Sequence, residues 1–477
     1  MKLKVYFTCF IIISFIVLGS SVNKKHLQQE TVSINFEVDT LAQGLIVPWE
    51  IAFLPDKTML FTERNGNLRI FRDNELLKKP AFTFKNIETT KKMGLLGLTI
   101  HPDFSKNKQI YLAYNYRIKE KSLLRVVRFE FRNDTLIKPA VIIESIEANP
   151  NHTGCRLVFG PDKKLYITTG DADHSILAQD LKTLNGKILR LNDDGSIPAD
   201  NPFVKSDTAR KEIWSYGHRN PQGIDFQPNT GHLYSSEHGP SGGDEINRIL
   251  KAANYGWPII HHTGTKKGMI SPLVEYTPSI APSKLIFYTS DVFPNLKGDI
   301  LLASLRGESI IRLGLNKGKI VEQEVLLKNK YGRIRAITEG PDGFIYVSTS
   351  QMDPPEGTPR PGYDMLLRLR PADGENKRQS FENFKIVKLQ NNEVNTTKLI
   401  YKQLCSSCHG ENLEGTEKAE SLLDGKWNYV SNKKDILNIL KNGITEKGMP
   451  AWEGAINQSN MEKIADYILN MSAPKKD

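Results

Sequence analysis

From Val32 to Arg370 apolar and polar residues alternate in short runs broken by Gly, Pro, Asn and Asp, and almost nothing repeats at helical spacing. The pattern predicts strands. One phrase recurs six times: an apolar or small residue, a proline, a turn residue, and then an apolar-aromatic strand. The copies centre on Pro55-Asp56 before Met59–Thr62, Pro102-Asp103 before Ile110–Ala113, and Pro161-Asp162 before Leu165–Thr168. Three more centre on Pro228-Asn229 before Leu233–Ser235, Pro294-Asn295 before Ile300–Ala303, and Pro341-Asp342 before Phe344–Val347. Successive prolines lie 47 to 67 residues apart, the scale of a four-stranded blade with long loops. The expected fold class is mainly β, a six-bladed β-propeller over 32–372, with a β-sandwich or solenoid as the alternative.

Two flanking stretches break this pattern. Residues 373–394 are polar, rich in Lys, Asn, Glu and Gln, and read as a linker. Beyond it, Met461, Ile464, Ala465, Ile468 and Met471 recur at helical spacing and predict the buried stripe of a terminal helix, so a small all-α domain is expected over 395–474. At the other end, Lys2 and Lys4 precede the apolar run Val5–Leu18 and the small residues Gly19-Ser20-Ser21. That is the form of a signal peptide, 1–21, and it predicts export to the periplasm. The run is short for a bilayer span of about 17–25 residues, and membrane attachment is expected only if the segment stays uncleaved.

Composition sharpens this little. A chain of 477 residues, 39% hydrophobic, has room for two folded units, and no later run is apolar enough to span a membrane. The net charge of +10 is scattered rather than patched, which argues against a nucleic-acid partner. Of four cysteines, Cys9 falls in the export segment and Cys155 reads as a buried small hydrophobe. No disulfide framework is expected.

The other two form Cys405-Ser406-Ser407-Cys408-His409, the attachment pattern of c-type haem. Two thiols three positions apart add to the haem vinyl groups, and the neighbouring imidazole ligates the iron. A zinc or thioredoxin-like site competes, but zinc needs two more ligands nearby and a redox motif does not need the histidine. For the second axial ligand, Met461 and Met471 belong to the helical stripe and are expected in the core. Met449, in the loop Lys447-Gly448-Met449-Pro450, is free to face a metal. A His409/Met449 pair suits an electron acceptor. From Tyr401 to Met471 the chain resembles a small class I cytochrome c.

Function in a propeller lives in loops at one end of its channel. Four stretches carry candidate chemistry. Asn151-His152-Thr153-Gly154-Cys155-Arg156 offers an imidazole as proton acceptor, with a purely structural histidine as the alternative. Trp214–Gly223 is dense in hydrogen-bonding side chains between glycines. Glu237-His238-Gly239-Pro240 through Asp244-Glu245 exposes carbonyls and hard carboxylates suited to Ca²⁺, or forms an ordinary acidic turn. In Gly332-Arg333-Ile334-Arg335, strand alternation sends both guanidinium groups to one side, where they could clamp a polycarboxylate.

Taken in order, Asn-His before Arg-Leu, Gly-His-Arg-Asn-Pro-Gln-Gly, Glu-His-Gly-Pro and Arg-Ile-Arg resemble the soluble aldose and glucose dehydrogenases that use pyrroloquinoline quinone, over roughly Val38 to Arg370. The resemblance implies a six-bladed propeller with the quinone and Ca²⁺ over its channel, and hydride transfer from the anomeric carbon of a sugar. By that resemblance His152 is the general base, and Arg219 and Asn220 contact the reactive quinone carbonyl. Arg333 and Arg335 hold cofactor carboxylates. The main-chain carbonyls of Gly239 and Pro240 bind the catalytic Ca²⁺, and Glu245 and Tyr255 a second one. Three positions depart from the family. Lys92 stands where a glutamine contacts the quinone, Arg306 where a lysine is common, and Asn151 where the glucose-oxidising members have an aspartate. These changes keep the cofactor-binding charge and leave sugar specificity open.

The two halves fit one scheme. A quinone reduced by two electrons must be emptied one at a time, and a tethered haem c is a resident one-electron acceptor. The expected protein is a periplasmic quinohaemoprotein oxidoreductase acting on an aldose and passing electrons to a downstream cytochrome or respiratory-chain component. The same chemistry on another alcohol or a sorbosone-like substrate, or a non-catalytic carbohydrate- or protein-binding propeller with a relay cytochrome, are the alternatives.

Overall fold

The computed structural model describes residues 36–240, 242–262, 264–351 and 362–372, and, toward the C-terminus, 397, 401, 405, 409–410, 412–416, 419–423, 432–444, 449 and 458–472. The expected signal peptide, the linker and Cys408 lie outside the described residues.

Six antiparallel sheets make six blades. The chain opens on β1 (Phe36–Gln43), which waits for the last blade. Blade 1 holds β2 (Pro48–Phe53), β3 (Met59–Glu63), β4 (Asn67–Arg72) and the short β5 (Glu75–Leu76) and β6 (Phe82–Thr83). Blade 2 holds β7 (Leu95–Ile100), β8 (Gln109–Ile118), β9 (Lys121–Arg132) and β10 (Thr135–Glu147). Blade 3 holds β11 (Leu157–Phe159), β12 (Leu165–Thr169), β13 (Lys187–Leu191) and β14 (Ile213–Tyr216). Blade 4 holds β15 (Pro221–Phe226), β16 (Leu233–Glu237), β17 (Asp244–Ile249) and β18 (Val274–Tyr276), and blade 5 β19 (Pro282–Phe287), β20 (Ile300–Ser304), β21 (Ser309–Asn316) and β22 (Lys319–Leu326). Blade 6 runs β23 (Ile334–Glu339), β24 (Ile345–Thr349), β25 (Met365–Pro371), and then β1. Joining the first strand to the last closes the ring without leaving a blade incomplete. Asp39 of β1 pairs with Arg368 and Arg370 of β25 at 2.9 and 3.2 Å.

Each repeated proline turn is the hairpin between the two inner strands of a blade. The reason is local: Asp56, Asp162 and Asp342 each accept a backbone N–H two residues on, at 3.0, 3.0 and 3.1 Å, which is the Asx turn that reverses the chain. The second strands, β3, β12, β16, β20 and β24, are buried along their whole length. Both of their faces meet neighbouring sheets, so their sequences are nearly continuous apolar and small-residue runs. The inner strands touch in the cyclic order β2, β7, β11, β15, β19, β23 and back to β2, which lines the channel.

Among the described residues of the C-terminal part, two long helices are α2 (Lys433–Asn442) and α3 (Gln458–Ser472); α1 is a single turn, Phe104–Asn107, inside blade 2. Asn432 caps α2 by accepting from the N–H groups of Lys434 and Asp435. Tyr401, Leu413, Ile436, Leu440, Met461, Ile464, Ala465 and Ile468 form one apolar core. Met461 is buried as expected, but Met471 is not: it is 42% exposed in the last turn of α3, where the stripe has run past its partners.

Candidate active site

In an antiparallel blade, the connection entering the inner strand and the hairpin between the second and third strands fall at the same end. Every candidate of the propeller except Tyr255 sits in or beside one of these connections or in the first residues that follow. Lys92, His152, Arg219 and Arg333 precede the inner strands β7, β11, β15 and β23; Gly239, Pro240 and Arg306 lie in the second-to-third hairpins of blades 4 and 5, and Glu245 at the start of β17. Five of the six inner strands carry a register shift at this end, and the sixth, β11, starts late. Such bulges re-aim side chains beside functional sites.

His152 is the centre of the arrangement. Its Nδ1 lies 2.7 Å from Asp171 Oδ1 and 3.1 Å from Asp173 Oδ1, both from the β12–β13 hairpin. Trp257 Nε1 donates to Asp171 Oδ2 at 2.8 Å, and Asn151 Nδ2 to Asp173 Oδ2 at 2.6 Å. With Nδ1 facing carboxylates, the ring's basic nitrogen is Nε2. Asn220 Oδ1 accepts from Gly154 N at 3.3 Å and Gln222 Nε2 at 3.1 Å, while Gln222 Oε1 accepts from Arg335 Nη1 at 3.1 Å. The loop bearing His152 is thereby tied to the arginine pair.

Arg219 Nη1 donates to the carbonyls of His238 and Gly239, at 3.3 and 2.9 Å, and its guanidinium lies 5.3 Å from the Trp257 ring centre. Its buried Nε makes no hydrogen bond among the described residues. Burial lowers the Arg219 pKa, and burial with the neighbouring Arg156, Arg333 and Arg64 pushes Arg335 far below the ordinary arginine range. Half-buried His238 is driven well down by burial and by Lys92, Arg335, Arg219 and His152, and it donates through Nε2 to Pro282 O at 2.8 Å. Arg333 and Arg335 are both buried. This crowd of cations repels itself and fits a polyanionic ligand such as a tricarboxylate quinone.

Beneath it, Trp49 lies against the guanidinium of Arg156, 4.0 Å away. Arg156 crosses the channel to Glu50, which Lys284 also reaches at 2.7 Å. Burial acts to raise the Glu50 pKa, yet Arg156 and Lys284 outweigh it and hold it low.

The calcium candidates divide. Gly239 is packed so closely that a Cβ would sit 2.1 and 2.2 Å from the carbonyl oxygens of Gly243 and Gly242, so the turn gathers hard oxygen atoms that suit Ca²⁺. The Gly239 carbonyl itself accepts from Arg219 in this structure. Glu245 is raised well above its ordinary range by burial and by Glu237, Glu275 and Asp244, a crowding that a cation would relieve. The Tyr255 hydroxyl is engaged elsewhere, with Leu250 N and Arg248 O, and its ring stacks on the fully buried His218 at 4.7 Å. Arg306 is exposed at the rim.

In the C-terminal part, His409 N donates to Cys405 O at 2.9 Å, which puts thiol and imidazole one helical turn apart. Cys405 and Met449 both border the apolar core, and the buried Nδ1 of His409 makes no hydrogen bond among the described residues. These residues fit a haem held in an apolar crevice. Cys155 is fully buried as expected.

Sequence reasoning missed Asp171, Asp173, Trp257 and Glu50, and it named Gln222 only as part of a polar stretch. The first two were within reach, because they directly follow the strand of the third repeat and so had to lie in a hairpin at the site's end.

Residues 45–355 match the family described as glucose/sorbosone dehydrogenase, and residues 392–468 that of cytochrome c oxidase, cbb3-type, subunit III. The chain is 36% identical over 361 residues to the aldose sugar dehydrogenase YliI of Escherichia coli, covering 72% of this chain and 95% of that protein. It is 35% identical over 258 residues to quinoprotein glucose dehydrogenase B of Acinetobacter calcoaceticus, 48% of this chain and 53% of that one. The solved PQQ-bound aldose sugar dehydrogenase of Streptomyces coelicolor matches with a TM-score of 0.63 and 29% identity, over 71% of this chain and 99% of that one.

Proposed function

The chain belongs to the glucose/sorbosone dehydrogenase family, a six-bladed propeller here joined to a cbb3-type cytochrome c domain, and from that premise we propose that it is an exported quinohaemoprotein that oxidises an aldose at its anomeric carbon and passes the electrons to its own haem. The observation that carries the reading is His152, held by carboxylates at Nδ1 within a bowl of cations.

His152 Nε2 accepts the proton of the anomeric hydroxyl. Arg333 and Arg335 would hold the carboxylates of pyrroloquinoline quinone, with Lys92 and Arg306 adding positive charge. Arg219 and Asn220 are placed to stabilise negative charge at a quinone carbonyl. When bound, the quinone supplies a two-electron acceptor. The carbonyls of Gly239 and Pro240 would hold the Ca²⁺ that accompanies it, and Glu245 with Tyr255 a second, structural Ca²⁺. In the cytochrome domain Cys405 and Cys408 would attach the haem, and His409 and Met449 would ligate its iron. So held, the haem would supply a one-electron acceptor able to serve a downstream carrier.

The test is the haem spectrum of full-length protein loaded with Ca²⁺ and pyrroloquinoline quinone and mixed with a panel of aldoses, beside His152→Ala. Haem reduction that requires quinone, sugar and His152 together establishes the activity. Intact haem and bound quinone with no reduction by any aldose moves the substrate to another alcohol or ketoaldehyde, and failure to bind quinone removes the dehydrogenase reading.

A further inference from the structure

We propose that Asp173 determines substrate specificity, accepting a hydrogen bond from the sugar hydroxyl adjacent to the reacting carbon; the inference rests on the dehydrogenase reading. Two carboxylates face His152 Nδ1, and the nearer one, Asp171, holds the ring. Asp171 is 1% exposed, and its oxygens are spent on His152 Nδ1 at 2.7 Å, the N–H of Asp173 at 2.9 Å and Trp257 Nε1 at 2.8 Å. A neutral imidazole has one proton at Nδ1, and Asp171 is the nearer acceptor.

Asp173 differs in every respect that matters for a ligand. Its side chain is 36% exposed, and each of its oxygens keeps a lone pair beyond the contacts to His152 at 3.1 Å and Asn151 at 2.6 Å. Ala172 and Asp173 are consecutive left-handed residues, φ 55° and 60°, a conformation that non-glycine residues avoid, and it presents this carboxylate to the base. Asn151 completes the pair. An aspartate at 151 would set a second negative charge against Asp173, whereas the amide donates to it. The carboxylate at this edge of the site therefore comes from the opposite loop. Asp173 is the solvent-facing one of the two carboxylates at the base, so it is the one open to a sugar hydroxyl next to the reacting carbon.

The experiment compares the best aldose of the panel with its 2-deoxy analogue, using full-length holoprotein. Equilibrium binding by calorimetry and the KM of haem reduction are measured for wild type, Asp173→Asn and Asp173→Glu. Wild type should prefer the parent sugar about tenfold or more, the discrimination expected of a hydrogen bond to a charged acceptor. Asp173→Asn should raise the parent's KM and Kd about tenfold and those of the deoxy sugar twofold or less; Asp173→Glu, which keeps the charge, should retain part of the preference. An unchanged preference in Asp173→Asn, or an equal loss on both sugars confined to kcat, overturns the proposal while leaving the dehydrogenase intact. A wild type that neither binds nor oxidises any aldose overturns both.

Discussion

His152 Nδ1 stands 2.7 Å from Oδ1 of Asp171, whose carboxylate is almost wholly buried. That contact fixes which ring nitrogen carries the proton, because a carboxylate can only accept there. Asp171→Asn would let an amide N–H face Nδ1 and favour the opposite tautomer, which protonates Nε2 and disables the base. The rate of sugar-dependent haem reduction should fall by about 10²- to 10⁴-fold, the range that follows from a wrong tautomer in comparable His–Asp pairs. Nitrogen-15 shifts of the His152 ring should show the tautomer change without any turnover.

Glu50 holds two cations, the buried Arg156 and the partly exposed Lys284, drawn from blades 3 and 5 onto blade 1. Glu50→Gln removes the counter-charge from both, and unfolding free energy should drop by about 3–5 kcal/mol. The sign of the acid response follows from its lowered pKa. Stability from this cluster is present above the ordinary carboxylate range and is lost as pH falls through the lower folded-state value. Urea denaturation followed by far-UV circular dichroism should show that acid loss in wild type and less of it in Glu50→Gln.

These long-range pairings mark the boundary of what the chain reveals before it folds. Three of the six proline turns have a reason legible within two residues, the side chains of Asp56, Asp162 and Asp342. Cys155 and Met461 were legible from local pattern. Glu50 and Arg156 are 106 residues apart, and nothing near either announces the other. The closure of blade 6 by β1 likewise depends on pairing Phe36 with Pro371. Met471 shows the opposite failure: helical period continues to the end of α3, but the core it should meet does not. His152, Arg219 and Arg335 were singled out by motif, while Asp171 and Asp173 carry no motif and are defined only by the hairpin that holds them.

Asp225 gives a second pH signature, of opposite sense. It bridges blades 4 and 5 by accepting the N–H of Phe287 at 2.9 Å as well as that of Phe226 at 2.8 Å. Burial raises its pKa to about 6 despite these bonds. The folded state therefore holds this proton when the unfolded chain has lost it, so stability declines as pH rises from the ordinary aspartate value toward 6 and then levels. The decline should be on the order of 3 kcal/mol. Asp225→Asn should flatten it, as read from urea midpoints between pH 4 and 7.

Arg335 ties function to instability. It is 4% exposed, and burial with Arg156, Arg333 and Arg64 works against its charge, with Asp364 the opposing influence. A buried cation among cations costs folding free energy, and an anionic ligand converts that cost into affinity. Arg335→Met should therefore act in opposite directions on two states. Without cofactor the variant should unfold at a higher temperature than wild type, by about 1 kcal/mol in stability, since a methionine fills the space without charge. With saturating pyrroloquinoline quinone the order should reverse, because the wild type gains stability in proportion to the logarithm of its tighter binding. Paired melting curves with and without quinone read both effects, and a variant less stable in both states would show that Arg335 serves the fold rather than the cofactor.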